Sequence, residues 1–178
     1  MKRRMSSVST RVAAASLLAV AAVAGSGHSS TLVQTQLIGV KGATVLSFVS
    51  QYLPPEIKAL EPQLKIKAED MLKSAGLTTP GDRDQYLKID VTGDAVSSEL
   101  CTNAFMLQVV VAFSEPIRLS RAHHQRLPNN STLDTWQEVY RDVVPQSELQ
   151  RIVTTQVAEA VALFIDTVKT VNQEEKTK

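Results

Sequence analysis

Residues 149–168 constrain the fold most. Leu149, Ile152, Val153, Val157, Ala160, Val161, Phe164, Ile165 and Val168 recur at three- and four-residue spacing. Thr154, Thr155, Glu159, Asp166 and Lys169 take the opposite side, so about five turns of amphipathic helix are predicted. A helix with so broad an apolar stripe must lie on another apolar surface. Residues 103–114 supply one. Phe105, Leu107, Val109, Val111 and Phe113 alternate along one side of an extended segment, and Met106, Val110 and Ala112 make the other side nearly apolar too. That pattern predicts a central strand, which residues 117–120 extend beyond Pro116.

The remaining elements follow from local signals. Residues 31–40 and 43–52 read as extended, separated by a turn at 39–42. Leu53-Pro54-Pro55 breaks the chain. From Glu56, the residues Ile57, Leu60, Leu64, Ala68, Met71, Leu72 and Ala75 draw a second helical stripe, with Pro62 in the first turn of a helix beginning near Glu61 and Gly76 as its cap. Residues 79–82 form a turn, and 86–92 alternate as a half-buried strand. Residues 121–132 are polar loop, and 133–143 form a strand holding Trp136 and Tyr140. Ser147 and Gln150 fit a capping box for the last helix. The predicted fold is α+β, a two-layer sandwich of a mostly antiparallel sheet with two helices on one face. Trp136 is expected to be buried near Val157, Val161 or Phe164.

The N-terminus has a different character. Lys2, Arg3 and Arg4 precede a Ser/Thr-rich stretch, the apolar run 12–24 and the small-residue sequence Ala22-Val23-Ala24, which is the pattern of a cleavable export signal. At 13 residues the run is too short to span a bilayer of about 30 Å. A mitochondrial presequence and an uncleaved anchor are the alternatives, since the segment is rich in Arg and Ser and the first acid of the chain is Glu56. Arg3-Arg4 also hints at a twin-arginine signal, though the expected hydrophobic pattern does not follow it. The predicted organisation is therefore a signal at 1–24, a linker at 25–30, one domain at 31–172 and a charged tail at 173–178. A periplasmic or secreted location follows.

Removing Lys2, Arg3, Arg4 and Arg11 leaves 15 basic against 18 acidic residues, so the formal charge of +1 becomes about −3 in the mature chain. No basic stripe with interleaved aromatics remains, which argues against nucleic acid as a partner. The single cysteine, Cys101, cannot form an internal disulfide, and it lies too far downstream to carry a lipid at the cleavage site. It reads as a small filler or a strand-end residue.

Motifs that would carry chemistry fail on inspection. His123 and His124 are adjacent, so their side chains diverge on a strand or a helix instead of closing on one ion. Asp82 and Asp84 begin a calcium-loop pattern, but Tyr86 and Leu87 stand where its third ligand and its glycine belong. Cys101, His123 and Asn129 or Asn130 follow the chain order of some cysteine proteases, without any context that would lower the thiol pKa. Asn129 and Asn130 also open overlapping glycosylation sequons. No catalytic, cofactor-binding or metal-binding residue is assigned, and no cofactor is expected.

The segments 37–42 (LIGVKG), 68–77 (AEDMLKSAGL), 85–91 (QYLKIDV), 115–121 (EPIRLSR), Thr135-Trp136 and 164–172 (FIDTVKTVN) resemble, in order along nearly the whole mature chain, a family of uncharacterised exported bacterial proteins. The resemblance implies an exported bacterial α+β domain and carries no catalytic residue. More loosely, the architecture is similar to small envelope-assembly and transport-accessory lipoproteins, from which this chain departs in lacking the lipidated cysteine. The expected function is a non-catalytic binding or envelope-assembly module, with an envelope protein or a lipid-related molecule as partner. The alternative is a small periplasmic hydrolase whose residues meet only in space, with His123, Asp90 and Glu115 as its actors.

Overall fold

The computed structural model describes residues 37–78, 85–98, 101–116 and 132–177. The export signal, the linker, Asp82, Asp84, His123, His124, Asn129 and Asn130 lie outside the described residues. So do the strand extension expected at 117–120, the turn expected at 79–82 and nearly all of the loop expected at 121–132.

Four strands make one sheet: β1 (Thr44–Val49), β2 (Tyr86–Ser98), β3 (Cys101–Pro116) and β4 (Thr132–Pro145), in that spatial order. β1 pairs with β2 in parallel, and β2 with β3 and β3 with β4 antiparallel. Parallel neighbours need a crossover, which carries the short helix α1 (Pro55–Lys58) and α2 (Glu61–Ser74). After β4 the chain passes through a 3-10 turn (Gln146–Glu148) into α3 (Leu149–Lys176). α2 packs on β1, α3 packs on β3 and β4, and the two helices touch each other, so the protein is an α+β sandwich with both long helices on one face of the sheet.

The core forms where the two strongest sequence patterns meet. Leu107, Val109, Val111 and Phe113 of β3 and Val153, Val157, Val161, Phe164 and Val168 of α3 are all buried. The Phe164 ring lies 5.2 Å from both Phe113 and Trp136, tilted by 32° and 59°. Tilted pairs at this spacing suit the ring quadrupoles and add to the burial energy. Trp136 therefore packs where expected.

Gly76 adopts φ +80°, which residues with a Cβ reach only at a cost, and it ends α2 as predicted. Its N–H donates to Lys73 O at 3.0 Å while Leu77 N–H donates to Leu72 O at 2.9 Å, satisfying carbonyls that the last helical turn leaves open. Pro62 does sit in the first turn of α2.

Several boundaries differ from those the sequence predicts. Of the extended segment expected at 31–40, the described part is a turn at 37–39, because Gly39 takes φ +77° and Val40 N–H bonds back to Leu37 O. β2 runs to Ser98, well past Thr92, because β3 pairs with it along that length. Gly93 lies inside this extension, where an added Cβ would come within 2.9 Å of Leu53 Cδ2. The strand needs a residue without a side chain there to pass beneath Leu53. Ser147 makes no capping hydrogen bond; it sits within the 3-10 turn, and the helix starts at Leu149. The tail expected at 173–178 is helical as far as Lys176. Asn172 Oδ1 accepts a 2.7 Å bond from Gly39 N–H, tying the helix end to the start of the described chain.

Candidate functional site: the uncovered face of the sheet

Strand alternation gives the sheet two faces, and the described helices cover only one of them. Register places Leu46, Lys88, Ala112 and Gln137 in one row of the outer face. Phe48, Asp90, Val110 and Val139 form the next row, followed by Thr92, Gln108 and Arg141 and then Asp94, Met106 and Val143. Phe48 is 55% exposed, Met106 58%, Val143 62% and Leu46 44%. Isolated exposed apolar residues are ordinary; here four large ones share one face of the sheet.

A β-bulge builds the polar corner of this face. Phe113 pairs with Trp136 and Ser114 with Asp134, so Thr135 is an extra residue on β4. Strict alternation from Trp136 would send Asp134 toward the helices. The bulge turns it to the outer face, where its Oδ1 accepts bonds from Ser114 Oγ and from Lys88 Nζ, the latter at 3.4 Å. Burial pushes the Asp90 carboxyl above its ordinary range; the Lys88 ammonium opposes this and the Asp134 charge adds to it. Arg141 Nε donates to Gln108 Oε1 at 3.1 Å across the β3–β4 pair.

The hydrolase actors do not converge. Asp90 points to the outer face, whereas Glu115 continues the inward series of Val109, Val111 and Phe113 on β3. Burial raises the Glu115 carboxyl as well, but the sheet separates the two acids, so they cannot act on one bond. His123 lies outside the described residues. Cys101 is the first residue of β3, a strand-end position. Among the described residues no group of three or more His, Cys, Asp or Glu is placed to hold a metal ion, and no helix is long and apolar enough to cross a membrane.

Two other regions bring together side chains that sequence patterns had left unconnected. A groove of about 670 Å³ runs between α2 and α3, lined by Ile66, Met71 and Ile165 with Lys67, Asp70, Asp166 and Lys169. At the β4 edge of the inner face, Gln156 Nε2 donates to Asp142 Oδ2 at 2.5 Å. Nearby, burial together with the charges of Glu138 and Glu159 raises the Tyr140 phenol. The signal for the outer face was present in part, since Met106, Val110 and Ala112 had made the second side of β3 apolar. What joined them to Leu46, Phe48 and Val143 was strand register. No protein-family model matches the chain, and no curated protein is similar to it.

Proposed function

We propose that the protein is a non-catalytic binding or assembly module of the bacterial cell envelope, exported by its N-terminal signal, and that it meets its partner with the outer face of the sheet. The observation that carries this reading is the exposure of Leu46, Phe48, Met106 and Val143 together on a face that the described helices leave open. The face also holds Lys88, Asp90, Asp94, Asp134 and Arg141. Burying five charged groups in lipid hydrocarbon is costly, whereas a protein surface offers them partners. A protein partner therefore fits better than a lipid one.

Photo-crosslinking in the producing cell tests the reading. A photoreactive residue at Phe48 or Met106 should give protein adducts, and the same residue at exposed Glu69 on α2 should not. Absence of adducts from both face positions, or equal yield at Glu69, refutes it. Intact mass of the exported chain checks the location: a protein beginning at Gly25 agrees, and one retaining Met1 to Ala24 does not.

A further inference from the structure

We infer that the open edge of β4 takes up an extended peptide from a partner as one more strand, with a lysine or arginine of that peptide held between Glu138, Asp142 and Glu159. This surface is separate from the outer face, so the two readings stand or fall independently.

The backbone supplies the first argument. β4 is 14 residues long and ends the sheet, bonded only to β3. In an antiparallel pair, alternate residues direct their N–H and C=O groups away from the partner strand. Among the described residues no turn, loop or helix gives those groups of β4 a backbone partner. Such a row is a template for a further strand. The opposite edge is less open: β1 has only six residues, and Glu61 Oε2 accepts its Val49 N–H at 3.2 Å.

The side chains along this edge supply the second argument. Glu138, Tyr140 and Asp142 alternate on the inner side of β4, and Gln156 and Glu159 reach toward them from α3. None of the three acids forms an ion pair with a described residue. The cations nearest in sequence are engaged elsewhere: Arg141 bonds Gln108 on the outer face, and Arg151 bonds Glu148. Gln156 is an independent sign of a missing donor. It is only 8% exposed, its Nε2 donates to Asp142 Oδ2, and its Oε1 has no hydrogen-bond partner. An acceptor buried without a donor is costly to leave so, and here it belongs to the amide that holds Asp142. Ammonium and guanidinium groups carry several donors and no acceptor, which is what three carboxylates and an unpartnered carbonyl call for.

Strand geometry brings the two arguments to one place. A peptide residue paired with Tyr140 points to the same side as Tyr140, with Glu138 and Asp142 as its diagonal neighbours at about 7–8 Å. A lysine or arginine side chain spans that distance, and Glu159 faces it from α3.

Fluorescence anisotropy on the exported protein tests the inference. The probe is a fluorescein-labelled heptapeptide of alternating threonine and valine with one central arginine. It should bind with half-saturation below about 1 mM, and exchanging the arginine for glutamate should weaken binding at least about tenfold. Glu138→Gln and Glu159→Gln should each weaken the arginine peptide by about threefold or more and leave a glutamine-centred peptide unaffected, a difference that mere loss of folding would not produce. Methylating the amides of alternate peptide residues should abolish binding in one phase and spare it in the other, because only one edge of the peptide meets β4. In the free protein, amide hydrogen exchange along β4 should alternate between slow and fast. No binding of the arginine peptide by about 1 mM overturns the inference and leaves the acids as a guard against edge pairing. Equal binding of the glutamate peptide, equal effects of the two methylation phases, or uniformly slow exchange along β4, which would mean that the chain covers its own edge, overturns it as well.

Discussion

Replacing Phe164 by alanine removes the ring on which both Phe113 and Trp136 rest, at 5.2 Å each. Phe164 is fully buried, so the surroundings cannot fill the space by admitting solvent. A buried Phe→Ala change costs about 3–5 kcal/mol, and the loss of two aromatic contacts places this site toward the upper end. Set against a domain stability of about 5–15 kcal/mol, that is a third of the total or more. Phe164→Leu keeps most of the volume and loses the ring contacts, so it should cost about 1–2 kcal/mol. Urea unfolding followed through Trp136 measures both variants, because Trp136 is the only tryptophan and is 4% exposed in the native protein. The alanine variant should unfold at a clearly lower urea concentration with an unchanged slope, and its melting temperature should fall by about 10–20 °C. A loss below about 1.5 kcal/mol, or a leucine variant as unstable as the alanine one, would refute the view that this triad anchors α3 to the sheet.

Gly42→Ala drives a Cβ into Thr78 O, a backbone atom that must move, so it should destabilise by about 1–3 kcal/mol. Gly39→Ala meets nothing within 4 Å and carries only the strain of its φ of +77°, about 1–2 kcal/mol; thermal melts of the two variants check both values. Asn172→Ala removes the bond from Gly39 N–H and should cost about 0.5–1.5 kcal/mol in urea titrations, whereas a chain truncated after Pro145 loses α3 and should show no cooperative unfolding at all. Burial raises the Glu115 carboxyl, so its contribution to stability is present below the unfolded-state pKa of about 4 and declines as pH rises through the folded value. Glu115→Gln should therefore raise the urea midpoint at pH 7 and leave it nearly unchanged near pH 3; an equal shift at both would show that ionisation is not the cause.

Periodicity in the chain determined which side of each main element faces inward. The stripe from Leu149 to Val168, the alternation from Phe105 to Phe113, and Gly76 at the end of α2 each depend on residues a few positions apart, and helical or extended geometry alone converts that spacing into a buried side. The α+β class, the place of Trp136 beside Phe164 and the start of α2 at Glu61 followed from such patterns. Only the tertiary structure decided what lies beside what. Nothing local to residues 44–49 says that β1 runs parallel to β2, or that Phe48 stands in a row with Asp90, Val110 and Val139. Nothing local to residues 172–176 says that the tail stays helical, because part of what holds it is a bond to Gly39, 133 positions away. The bulge at Thr135 reverses the side on which Asp134 would fall by simple alternation, and so creates the polar corner with Ser114 and Lys88. An amphipathic pattern records a side chain's preference for burial but not the identity of its neighbour. The outer face is made of neighbours, so it emerged only when strand register brought Leu46, Phe48, Met106 and Val143 onto one surface.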